Sequence, residues 1–130
     1  MMAAVHTIIQ NWSDGRKQLV TSTQYSATGE AAIEGETIAD SATDYQINIA
    51  IDVTAVVSFF MLSDQDITVE TNNGGAPDDT ISLSADIPYI WTTDSYDSFQ
   101  LGTDVTALFI TNASGSTATL NVRVIQDATP

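Results

Sequence analysis

The chain contains no cysteine and only three cationic side chains, Arg16, Lys17 and Arg123, against seventeen carboxylates. Without cysteine there are no disulfides and no thiolate metal sites, and the redox compartment leaves no mark on the sequence. The shortage of cations, at a formal net charge of −14, argues against nucleic acid. A DNA or RNA binder displaces condensed counterions through several cationic contacts, and here only Arg16 and Lys17 are neighbours. The same deficit disfavours an anionic lipid surface. Apolar runs are short, well below the roughly 20 residues of a membrane-spanning helix. The opening Met1, Met2, Ala3, Ala4, Val5, His6 lacks the basic segment and long apolar stretch of a secretory signal. The expectation is a soluble protein, or part of a soluble assembly, that binds neither nucleic acid nor membrane.

Signatures of catalysis are missing as well. The single histidine, His6, falls in the first strand-like run, where a surface strand histidine is the plain reading. A Ser/His/Asp triad would have to use it, yet no nucleophile-elbow sequence is present. No zinc-protease, P-loop or dinucleotide-binding glycine pattern occurs either. Carboxylates are abundant, but seventeen of them can place two at glycosidase spacing by accident in any compact fold. Asp64 and Asp66 near Glu70, or Asp78 and Asp79 beside Asn72 and Asn73, could offer oxygens to calcium. Neither set has the spacing of an EF-hand loop, and solvated turn carboxylates are the simpler account. The expectation is therefore no enzyme, no cofactor and no metal.

What the chain does have is alternation. In Tyr45, Gln46, Ile47, Asn48, Ile49, Ala50, Ile51, Asp52 the odd positions are apolar, which sets one face on a core and the other toward water. Thr80 to Ser84 repeats the pattern, and so does Thr117 to Ile125, which reads as a well-paired or central strand. Asn72 to Pro77 forms the clearest loop, and Asp14 with Gly15 a hairpin turn between Val5–Trp12 and Lys17–Ser26. Ala27 to Asp44, with three glutamates and two glycines, reads as an edge strand, a long exposed connection or a reach toward a neighbouring subunit. No amphipathic helix of ten or more residues is visible. At 130 residues and 43% hydrophobic content, the chain suits one all-β domain. It reads as an antiparallel β-sandwich of jelly-roll type, with about nine or ten short strands. Residues 1–26 would be its first hairpin or an N-terminal arm.

A tetrapeptide occurs twice, as Asp52-Val53-Thr54-Ala55 and Asp104-Val105-Thr106-Ala107. Each copy leads into an apolar run, a polar break and a second strand-like run, which suggests two similar hairpins, although chance recurrence accounts for it equally well. Aromatic residues offer a further choice. Trp12, Tyr89, Trp91 and Tyr96 could make a sugar-binding platform, while Ile87 to Trp91 is dense enough for a core strand or a buried interface.

The second half of the chain resembles a group of small capsid-associated proteins of tailed bacteriophages. The likeness lies in Leu62 to Asn72, in Ala76 to Ile81 and in Asp104 to Asn112, within residues 50 to 125 or so. It implies a decoration, or cement, protein on the outer surface of an icosahedral head, made in the bacterial cytoplasm and tying neighbouring major capsid subunits together. It implies self-association as a homotrimer at local three-folds, or as a dimer at two-folds, because an accessory subunit matches the axes of the shell. Val5 to Ser26 is the expected capsid or subunit contact: it holds Arg16 and Lys17, the adjacent cations, and Trp12 as an interface anchor. The same segment can equally be the first hairpin of the sandwich. A carbohydrate-binding module, a carboxylate glycosidase and a tail or fibre component are the competing readings.

Overall fold

Alternation over so many short segments, broken by Gly, Asn and Asp, leaves little but strands, and the computed structural model bears this out. It describes residues 3–127, and among these there is no helix, so no helix long and apolar enough to cross a membrane. Ten strands follow in chain order: β1 (Ala4–Ser13), β2 (Gln18–Ala27), β3 (Gly29–Ile38), β4 (Tyr45–Ile51), β5 (Val56–Ser63), β6 (Ile67–Thr71), β7 (Thr80–Leu83), β8 (Tyr89–Thr92), β9 (Val105–Thr111) and β10 (Ala118–Gln126). β1 and β2 form a sheet of their own, while the others make two four-stranded antiparallel sheets, β3-β10-β5-β8 and β4-β9-β6-β7.

The pairing is nested. β6 pairs with β7, β5 with β8, β4 with β9 and β3 with β10, as in one long hairpin that turns at residues 72–79. Rolled on itself, that hairpin brings β10 beside β5 and β9 beside β6, which is the jelly-roll order. Side chains of alternate residues then meet between the sheets. Phe59, Met61, Leu120, Val122 and Val124 from one sheet face Val69, Ile81, Leu108 and Ile110 from the other, all essentially inaccessible to solvent. Phe99, from the 93–104 connection, closes the β8 side by stacking on Trp91 at 4.6 Å and meeting Phe59 edge-on at 5.2 Å.

Local expectations fare unevenly. Thr117 to Ile125 falls in β10, which is paired on both sides, and Ala27 to Asp44 yields β3, an edge strand. Gly35 forms a bulge there: with φ 63° it lets Glu34 and Gly35 together face Asn121, whose side chain accepts the Gly35 N–H at 2.9 Å. The repeated tetrapeptide is not a repeated hairpin. Residues 53–55 form the turn into β5, with the Asp52 carboxylate accepting Thr54 N–H and Oγ1–H, whereas the second copy enters β9. β5 and β6 lie in different sheets, as do β9 and β10, so each of those connections crosses the sandwich instead of closing a hairpin. Ile87 to Trp91 joins the core on one face only. In β8 at the sheet edge Tyr89 and Trp91 turn inward, while Ile87 and Ile90 are exposed.

Asn112 ties the crossing between sheets. Buried, it donates from Nδ2 to the carbonyls of Ile38, Ala39 and Ser116 and accepts at Oδ1 from Ser114 N–H and Oγ–H. Its own N–H donates to Ala42 O, and its C=O accepts from Ser41 N–H, so one residue fastens the β3–β4 connection to the β9–β10 connection. Asn112→Ala strands several carbonyls in a water-poor site. The expected loss of unfolding free energy is about 2–4 kcal/mol, read as a lower urea midpoint at unchanged slope.

Candidate functional site

The β1–β2 hairpin stands out because half of it is used and half is not. Its register runs from Ala4 opposite Ala27 to Ser13 opposite Gln18, closed by Asp14 to Lys17. The turn is thus longer than an Asp-Gly pair: Asp14 Oδ1 accepts the N–H groups of Arg16 and Lys17, each at 2.9 Å, and Gly15 takes φ 87°. Alternation puts Ala4, His6, Ile8, Gln10 and Trp12 on one face with Leu19, Thr21, Thr23, Tyr25 and Ala27.

At the foot of the arm this face lies on the outer side of the β3-β10-β5-β8 sheet. His6 Nδ1 and Ser58 Oγ are 2.8 Å apart. Thr92 Oγ1 donates to the Tyr25 hydroxyl at 3.3 Å, which donates to Asp94 Oδ2 at 3.0 Å. Ile125, opposite Ser58 in the ladder and pointing outward, is fully buried where β1 and β2 cross β10. Ser58 has ladder partners on both sides, Ile125 and Thr92, which fix its Oγ on the outer face of the sheet against the ring. The His6–Ser58 pair accordingly works as a latch holding the foot.

Beyond the foot the side chains of the arm are exposed. Ile9 is 67% exposed, Trp12 72%, Leu19 56% and Val20 59%, with Trp12 and Leu19 opposite each other on one face and Ile9 and Val20 on the other. Arg16 and Lys17 are exposed at the tip, where the sequence pattern had placed them with Trp12 in a contact segment. Among the described residues the only ion pair joins Arg123 to Glu34, so neither tip cation is engaged in one. Charge divides sharply along the chain. In residues 1–27 Arg16 and Lys17 outweigh Asp14 to give +1, whereas Arg123 against the other sixteen acids leaves the remainder at −15.

Two openings flank the foot. A groove of about 350 Å³ includes His6, Glu30, Ser58, Phe60, Ile90 and Arg123 in its wall. A cleft of about 410 Å³ separates Ile8, Gln10, Thr21 and Tyr25 of the arm from β8 and the 94–100 loop. Trp91 and Tyr96 both reach this cleft, yet the four candidate aromatics do not form one platform. Tyr89 and Trp91 pack on Phe99, Trp91 Nε1–H donates to Asp97 O at 2.9 Å, and Trp12 makes no ring contact with them.

The carboxylates considered for calcium serve the backbone. Asp64 accepts Thr119 N–H, Asp66 accepts Ala85 N–H, and Asp79 accepts Gly102 and Thr103 N–H, while Asp78 takes Asn72 Nδ2–H. Among the described residues no group of three or more His, Cys, Asp and Glu could hold a metal ion. No protein-family model, curated protein or solved structure matches the chain.

Burial is the main cause that lowers the His6 pKa below its ordinary 6.5; the Arg123 charge acts with it and the Glu30 carboxylate against it. The docked foot therefore favours neutral imidazole. Its contribution is full above about pH 6.5 and is lost as pH falls through the lowered value of the docked ring. An NMR titration should place the His6 midpoint below 6.5, with Tyr25 and Ser58 resonances following it. A midpoint at or above 6.5 would contradict burial of the ring at the foot.

Proposed function

We infer that this chain is a structural subunit of a phage virion, decorating the outer surface of the head and cementing neighbouring major capsid subunits, with its N-terminal arm as a capsid or subunit contact. The observation that carries this reading is the arm itself. Twenty strand residues form a ribbon of two strands only, anchored at one end and exposing Ile9, Trp12, Leu19 and Val20 on both faces at the other. A lone ribbon of this kind is marginal in water and presents open edges, so it fits a protein whose working state includes a partner. Aromatic and cationic side chains at an exposed tip are the composition of an interface anchor.

Other features agree. Jelly rolls recur in viral capsid and lectin domains, an analogy of fold that favours both the decoration reading and its sugar-binding rival. An acidic body would not compete for packaged DNA. A lectin-like module would draw on the cleft with Trp91 and Tyr96. Two of the aromatics it would need, however, are turned toward Phe99.

Mass spectrometry and cryo-electron microscopy of virions from a phage encoding this chain test the proposal. The expected result is regular density on the outer shell at three-fold or two-fold positions, with the arm against a neighbour. Absence from the particle would overturn it, and retention on a polysaccharide column would then favour the sugar-binding module. Trp12→Ala should weaken shell binding by about 2 kcal/mol, roughly 30-fold in Kd, in a titration of stripped particles. Unchanged occupancy in that variant and in Arg16→Glu/Lys17→Glu would remove the arm from the contact.

A further inference from the structure

We propose that the partner receiving the tip of the arm is a second copy of this chain. Trp12 would enter the cleft between the arm and the 94–100 loop of that copy, with Arg16 and Lys17 set against its Asp94 and Asp97. The inference rests on the reading above that the arm is a subunit contact, and it names which subunit.

Charge is the first reason. The arm is net cationic while the remainder of the chain is strongly acidic, so the tip of one copy and the body of another are complementary in charge. Two bodies at −15 each repel, and an arm at +1 is the part of the molecule that approaches a body without that penalty. Shape is the second reason. The cleft, about 410 Å³, is a site for one large side chain, not for a second ribbon, and it is walled by Ile8, Tyr25, Ile90, Trp91 and Tyr96. An indole entering there meets a mixed wall, with Ile8, Ile90, Trp91 and Tyr96 for its rings and Thr, Ser, Gln and Asp side chains for its N–H. Asp94 and Asp97, in the same wall, are exposed, as are Arg16 and Lys17 four and five residues beyond Trp12.

Placement supplies the third reason. Trp12 and Leu19 lie on the same arm face as Ile8, Gln10, Thr21 and Thr23, which line the cleft. Donor and acceptor are therefore neighbours on one continuous face, and insertion between two copies is mutual: each gives a tip and each receives one. The exposed Tyr96, on the loop at the cleft, is then covered in the assembly.

The test uses the purified full chain without any shell. Light scattering after size exclusion should show an oligomer at low salt that dissociates as salt rises, because exposed ion pairs are screened. Arg16→Glu/Lys17→Glu and Asp97→Lys should each abolish it, and the three substitutions together should restore it, Asp94 being left in place because it accepts the Tyr25 hydroxyl. Restoration is the decisive outcome, since a variant that merely fails to fold does not regain assembly; circular dichroism of each variant checks the β signal. In Trp91→Phe, the remaining Trp12 emission should shift to the blue as the chain associates and lose its accessibility to iodide. A monomer at all concentrations reached, or an oligomer that ignores both charge reversals, overturns the inference. The two readings separate cleanly: a monomer that still decorates particles through Trp12 sinks the copy-to-copy contact and leaves the decoration role standing. An arm-dependent oligomer absent from particles does the reverse.

Discussion

The sandwich depends on where β10 sits. It lies between β3 and β5, and its inward side chains Ala118, Leu120, Val122 and Val124 are wholly buried. Without it β3 has no neighbour in its sheet, because the nested pairing joins β3 to nothing else. The strand that completes the core is the tenth of those described, far along the chain from β3 and β5, so its ladders to both are long-range contacts. Loop-closure entropy has to be met before those contacts return anything, which places this topology among slow folders. Asn112 answers part of that difficulty. By bridging the β3–β4 and β9–β10 connections it fixes the corner from which β10 departs and pairs backbone groups of both connections.

Much of this was legible. Tyr45–Asp52 and Thr117–Ile125 alternate because each has one buried face, and a period of two survives whatever the partner is. The glycines and acids of residues 27–44 pointed to an edge, and β3 is one. Pairing was less legible. Asp52 and Asp104 both serve turns, with Asp104 Oδ1 accepting Val53 N–H across the end of the sandwich, so the two like tetrapeptides meet in space while performing different tasks. Local sequence carries the capping chemistry of each Asp, but it does not say which strand comes next to which. Ile87 to Trp91 is a mixed case: Tyr89 and Trp91 pack on the core as their density suggested, but at a sheet edge an apolar run still alternates, and Ile87 and Ile90 face out.

The arm was legible as a segment and opaque as a device. Val5–Trp12 and Lys17–Ser26 have the pattern of paired strands, and Trp12, Arg16 and Lys17 stand exposed at its outer end. What holds its foot could not be read, because Ser58, Thr92 and Asp94 are more than fifty residues away from His6 and Tyr25. The one available signal was His6 itself, a lone ionisable group alternating in phase with Ile8 on the face that turned out to be covered. Nor could pattern alone reveal that no third strand joins the ribbon. Ile9, Trp12, Leu19 and Val20 have the residue types of half-buried strand positions, and only the sheet order shows them uncovered.

The way the foot is attached bears on what the arm can do. Apolar burial under it is modest, centred on Ile125 and Ala27, and the rest of the attachment is polar: His6 to Ser58, and Thr92 through Tyr25 to Asp94. Hydrogen bonds fix direction better than they add stability, since each exchanges for water at a net gain of about 1 kcal/mol. An arm held in this way keeps a set orientation over β8 while remaining free of the tight core that would stop its outer half from meeting a partner. Asp94 belongs to both arrangements, as acceptor for Tyr25 and as part of the acidic wall of the cleft. A cation arriving at that wall would compete for the carboxylate that holds the foot of the arm, which couples occupancy of the cleft to the set of the arm. That coupling follows from one shared side chain and needs no change in the sandwich beneath it.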